Sequence, residues 1–223
     1  MVIVGQEAME KSIEILWTLY EKEIIPDKCQ NERYLHHYYS KEIQKTYDIN
    51  FGNLRESKLH PEWPTNKKVT KNDYSKYKKI GNNYIVAVDG SSGFIDFAIG
   101  EYKKPEFAIE FTSKYGFGKD ELAFDFLKLL DLKNPFKNVI SFNLIYREKG
   151  LSQGKRKENL KEALNIAFSV INNRSRSIDY ARQYIFWIVE IDAKGKKRSW
   201  IRKNNTDDWN CYEGEGISIN DLL

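Results

Sequence analysis

Cysteine is nearly absent: Cys29 and Cys211 are the only two in 223 residues, and they stand far apart. That excludes a disulfide framework and offers no short-range pair of thiolate ligands. Histidine is as scarce, with three residues, and the adjacent pair His36 and His37 does not suggest a zinc cage. No apolar run approaches the roughly 18 residues of a membrane-spanning helix. The opening MVIVGQEAMEKSIEIL turns charged too early for a secretory leader. These absences predict an intracellular, cytoplasmic chain with no membrane contact. No internal repeat or low-complexity linker divides it. One domain over residues 1–223 is expected, with a helical N-terminal part at 1–48 and a core at about 84–203.

What is present suits a packed domain. The chain is 41% hydrophobic and 14% aromatic, which supplies a core, and 30% charged, which supplies a soluble surface. The formal charge is +4 and the pI is near 8.8. This mild basic excess is compatible with a polyanionic partner, because net charge speaks to association and not to fold.

Residues 6–24 read as an amphipathic helix, with Met9, Ile13, Leu16 and Tyr20 three or four apart. Pro26 and Asp27 interrupt it, and a second helix opens near Asn31 through NERYLHHYYSKEIQKTY. LHPEWPTNKKVTKNDYSKYKKIGNN, with two prolines and six lysines, reads as irregular, with Trp63 covering the core. YIVAV and FIDFAIG then form a hairpin across DGSSG, and EFAIEFT follows EYKKP as a third strand. Asp120 begins a helix with Leu122, Phe126, Leu129 and Leu130 on its apolar face. NVISFNLIYR is a strand, KENLKEALNIAFSVINNR a helix, and QYIFWIVEI with RSWIRK a closing hairpin across DAKGKK. This order predicts an α/β (α+β mixed sheet) domain with flanking helices.

Two acids interrupt the apolar strands. In EFAIEFT, alternation sets Phe107, Ile109 and Phe111 on one face and Ala108, Glu110 and Thr112 on the other. In FIDFAIG, Asp96 shares a face with Ala98. A buried carboxylate is costly unless paired, protonated or bound to a metal. If the strands are neighbours, Asp96 and Glu110 converge as ligands of Mg²⁺, with Mn²⁺ as a possible substitute, leaving waters and a phosphate oxygen to complete the shell. Single acids on half-exposed strands are also common surface residues, and spacing alone leaves both readings open.

Asp96 on the second strand and Glu110 on the third, followed by a helix and a fourth strand, resemble the PD-(D/E)xK nuclease superfamily over about residues 31–146. The resemblance implies a restriction-endonuclease-like core of helix, three-strand meander, helix and strand. It also implies metal-dependent hydrolysis of DNA phosphodiesters, with Asp96 and Glu110 on the metal. The family expects a lysine two residues after the glutamate, where this chain has Thr112. Lys114 keeps the parity of Glu110 and lies about 7 Å further along an extended strand. It is the candidate to position water and phosphate. Many members place a helical glutamate near the metal; Glu32 matches by order, and His36 lies one turn later on the same face.

Lys67, Lys68, Lys71, Lys76, Lys78 and Lys79 surround Tyr74 and Tyr77. Cations that contact phosphates and rings that stack on bases suit nucleic acid. A second basic group comprises Lys194, Lys196, Lys197, Arg198, Arg202 and Lys203 around Trp200. The expected partner is therefore nucleic acid, DNA by resemblance, with a homodimer possible because endonucleases of this fold often pair. The rival expectation is a catalytically inactive nuclease-like module that binds nucleic acid or a protein.

Overall fold

The computed structural model describes residues 4–22, 32–53, 55–68, 78–80, 83–85, 92–115, 125, 126, 128–130, 134–146, 158, 161, 162, 165, 182–192, 194–204, 209–214 and 216–223. Helix α1 spans Val4–Glu21 and α2 spans Glu32–Ile43. The strands are β1 Leu59–Lys68, β2 Lys78–Ile80, β3 Asn83–Ile85, β4 Ser92–Glu101, β5 Lys104–Tyr115, β6 Asn138–Tyr146, β7 Gln183–Ile191, β8 Lys197–Lys203 and β9 Asn210–Glu213.

Seven strands form one mixed sheet in the order β1–β4–β5–β6–β7–β8–β9. β5, β6 and β7 run parallel at its centre, and the flanking pairs are antiparallel. Every residue of β6 is buried, as befits a strand covered on both faces. Phe97, Ile99, Phe107, Ile109, Phe111, Phe142 and Trp187 face α1 and α2 in one core. α1 contributes Ala8, Met9, Ile13, Leu16, Leu19 and Tyr20, and α2 contributes Leu35, Tyr39 and Ile43. These positions recur at three or four residues, so each helix offers one apolar stripe. Ser12 donates to the Ala8 carbonyl at 2.7 Å and meets the Tyr39 hydroxyl at 2.6 Å, which ties the two helices together. On the opposite face, helical residues 125, 126 and 128–130 pack against the sheet, with the Phe126 ring 4.1 Å from that of Phe186.

The closing hairpin, the fourth strand and the EYKKP turn lie where the sequence pattern puts them. The first hairpin does not. β4 pairs with β1, drawn from the stretch read as irregular. β3, the start of YIVAV, pairs instead with β2 in a separate two-stranded ladder. Pro61 and Pro64 obscured β1, but they are tolerated because among the described residues β1 is an edge strand with a partner on one side only. Trp63 is buried, donates from Nε1 to the Tyr102 carbonyl at 3.1 Å and meets the Phe136 ring at 5.2 Å, so it does cover the core. β9 extends the sheet beyond β8, where the sequence offered no strand pattern. No helix among the described residues is long and apolar enough to cross a membrane.

Candidate active site

The β4–β5 ladder is regular from Ile99↔Phe107 to Phe97↔Ile109, and there it ends. Past that point two carboxylates do the work of ladder bonds. Asp96 Oδ2 accepts the Phe111 N–H at 2.6 Å, and Glu110 Oε2 accepts the Asp96 N–H at 3.1 Å. Both sequence-predicted acids therefore occupy one seam, where the strands part and backbone donors need acceptors. Glu110 is only 3% exposed.

α2 covers one side of this seam. The His36 ring lies 5.7 Å from Phe97 and 5.5 Å from Phe111, and its Nε2 is 3.2 Å from Asp96 Oδ2. Nε2 is buried, yet it closes no hydrogen bond. Burial alone would lower the His36 pKa, but the contact with Asp96 and the charges of Asp96, Glu32 and Glu62 outweigh it, so the pKa is raised above the usual imidazole value.

β1 brings the third group. Glu62 lies between the register pairs Pro61↔Phe97 and Trp63↔Ile95, which sets it across from Asp96. Its φ of 51° is left-handed, a conformation that costs a non-glycine residue about 1–3 kcal/mol. Ligand atoms of His36, Glu62 and Asp96 all lie within 4.8 Å of one another. One imidazole and two carboxylates fit a divalent ion, and the His36 Nε2, whose contact with Asp96 Oδ2 at 3.2 Å does not close as a hydrogen bond, is a ligand type that such an ion takes. Mn²⁺ suits this mixed set better than Mg²⁺, which favours oxygen ligands throughout.

On the other side of the seam stands Lys128. Its ammonium pairs with Glu110 Oε1, lies 3.2 Å from Asp125 Oδ1 and donates to the Phe94 carbonyl at 3.1 Å. Asp125 is held in turn by the Thr112 hydroxyl, which donates to Oδ2 at 2.8 Å. The helix end is pinned. Asn134 Nδ2 donates to the Lys128 carbonyl at 2.7 Å, while Arg182 donates to the carbonyls of Leu129 at 2.5 Å and Asn134 at 3.0 Å.

The structure thus brings together Asp96, Glu110, His36 and Thr112, and adds Glu62, Asp125 and Lys128, which the sequence pattern missed. Glu62 was hidden by the prolines around it. Asp125 and Lys128 carried a signal: they are charged residues three apart within the apolar run FDFLKLL, and charges in a buried helix must find partners. Thr112 does not stand in for a lysine; it orients Asp125. Glu110, expected on the metal beside Asp96, is not in the three-ligand group; nor is Glu32, which opens α2, where a carboxylate favours the helix N-terminus, and whose charge acts on His36. Lys114 lies in β5 opposite Ile145, with its side chain outside the described residues.

The lysine-rich stretch is described only in part. Lys67 and Lys68 end β1, and Lys78 and Lys79 begin β2, with all four side chains outside the described residues, as Lys71 and Lys76 are entirely. The second basic group is largely tied into the fold. Arg198 reaches Glu213 at 2.8 Å and Glu190 at 3.8 Å, and Lys196 reaches Glu213 at 3.7 Å. Lys197 donates to the Tyr20 carbonyl at 2.6 Å and sits 5.1 Å above its ring. Trp200 is 2% exposed, so it is a core residue and not a stacking surface. Comparisons with protein families, curated proteins and solved structures each find no match to this chain.

Proposed function

We propose that the chain is a divalent-metal-dependent nuclease of restriction-endonuclease-like fold that hydrolyses DNA phosphodiester bonds. The observation that carries the reading is the convergence of His36, Glu62 and Asp96, from α2, β1 and β4, to within 4.8 Å beside the Glu110–Lys128 pair. The element order gives further support. A helix, the antiparallel trio β1–β4–β5 (with β2 and β3 between β1 and β4 in the chain), helical residues 125, 126 and 128–130, and parallel β6 come in the order expected of the superfamily's core.

His36, Glu62 and Asp96 would hold the ion, which supplies Lewis acidity toward phosphoryl oxygen and a water of lowered pKa. Asp96 is fixed for this by the Phe111 N–H. Glu110, paired with Lys128, would accept a hydrogen bond from the attacking water. The Lys128 ammonium balances Glu110 and Asp125 from within the fold, and the role of offsetting phosphate charge stays with Lys114, whose side chain lies outside the described residues. Water oxygen would bond to phosphorus in line as its proton passes to solvent, the bond to the leaving oxygen would break, and solvent would protonate that oxygen.

Cleavage of single- and double-stranded DNA with Mn²⁺ or Mg²⁺, by wild type beside Asp96→Ala and Glu110→Ala, tests the reading. Wild type cuts, and each variant loses about a hundredfold or more, beyond the range for loss of an outer partner. Equal cutting by all three contradicts the site. DNA bound but uncut by any of them favours the inactive binding module.

A further inference from the structure

We infer that Lys128 is the site's resident second cation: its ammonium fills an oxygen cradle that would otherwise take a second divalent ion, so the wild-type chain binds one. The inference rests on the metal site proposed above and adds its stoichiometry and the part played by Lys128.

The cradle is formed by Glu110 Oε1, Asp125 Oδ1 at 3.2 Å and the Phe94 carbonyl at 3.1 Å, three oxygens around one ammonium. The oxygens come from three places in the fold, β5, the helical residues around Asp125 and the start of β4. Burial isolates the cluster, with side-chain exposures of 11% for Lys128, 4% for Glu110 and 11% for Asp125. Carboxylates so placed need a counter-charge close by. Two further contacts show that the oxygens are set by the fold and not gathered by the lysine alone. Thr112 holds the other oxygen of Asp125 at 2.8 Å, and the Asp96 N–H holds the other oxygen of Glu110 at 3.1 Å.

The Asp96–Glu110 link joins the two cation positions. Glu110 grips the backbone of a residue whose side chain belongs to the His36–Glu62–Asp96 group. Lys128 is therefore a positioning residue. Acting through Glu110, it steadies the metal-binding strand and supplies the positive charge that a second ion would give. An ammonium does so without depending on metal concentration, and it keeps Glu110 from joining the ligands of the single ion.

Removal of the charge at nearly constant length, in Lys128→Met, leaves the oxygens of Glu110 and Asp125 facing each other without a cation. The test counts bound Mn²⁺ by electron paramagnetic resonance, in wild type, Lys128→Met, Lys128→Arg and Glu110→Gln. The expected counts are one for wild type, two for Lys128→Met, one for Lys128→Arg and one for Glu110→Gln. Two ions on wild type, or one on folded Lys128→Met, overturns the inference while leaving the metal site standing. No ion on wild type overturns both. Should Lys128→Met fail to fold, Glu110→Gln decides: one ion with cleavage lost supports the separation of Glu110 from the metal, and no ion overturns it.

Discussion

At the scale of single residues, His36 joins the chemistry to pH. Its pKa is raised despite burial because Asp96, Glu32 and Glu62 favour the imidazolium. In the metal-free chain the folded state therefore holds the proton more tightly than the unfolded state. The resulting stability is fully present below the ordinary imidazole pKa of about 6.5 and is lost as the pH rises through the raised folded value. A divalent ion competes for the same ring, since only neutral imidazole is a ligand. Mn²⁺ affinity should fall as the pH drops through the raised His36 pKa, and His36→Gln should bind more weakly and lose that step. Titration of Mn²⁺ between pH 6 and 8.5 measures it; a pH-independent affinity in wild type would remove His36 from the ligand set. Glu62 is the complementary case, a residue with strained backbone at a proposed ligand position.

At the scale of elements, the site exists because β4 and β5 part beyond Phe97↔Ile109, and the far end of the same pair is closed tightly. Gly100 there has a φ of 130°, and a Cβ added to it would lie 2.9 Å from the Glu106 nitrogen and 3.0 Å from Pro105 Cα. Its N–H donates to the Lys58 carbonyl at 2.8 Å, and its carbonyl meets His60 Nε2 at 2.9 Å, so the backbone cannot easily shift. Gly100→Ala should destabilise the fold by about 1–3 kcal/mol, a range set by backbone strain of this kind. Urea unfolding measures this; an unchanged midpoint would mean that the bend relaxes freely.

Elements were legible in sequence where one face is apolar. Period-two alternation placed Glu110 with Thr112, and the order of helices placed His36 ahead of the acids. The edge strand β1 was not legible, because Pro61 and Pro64 suppress the strand signal and only tertiary pairing with β4 reveals it. The Lys128–Glu110 pair spans 18 residues between a helix and a strand, a contact that no local spacing rule encodes. The pairing of the basic cluster around Trp200 was illegible for a related reason. Charge in sequence does not show whether an acid such as Glu213 lies across the next strand.

At the scale of the whole molecule, the three proposed ligands belong to elements far apart in sequence, α2, β1 and β4, and only the assembled sheet with its covering helix brings them together. Such a site is absent from an unfolded chain, so an ion held there stabilises the folded state by linkage. Lys128 meets Glu110 on the side of the seam away from α2, so the proposed site would pair one cation supplied by the chain with one drawn from solution. The measurement that tests this account most directly is anomalous diffraction from crystals grown with Mn²⁺. The account predicts a single anomalous peak among His36, Glu62 and Asp96, with Lys128 still paired to Glu110. A peak elsewhere, or none at millimolar Mn²⁺, would contradict it.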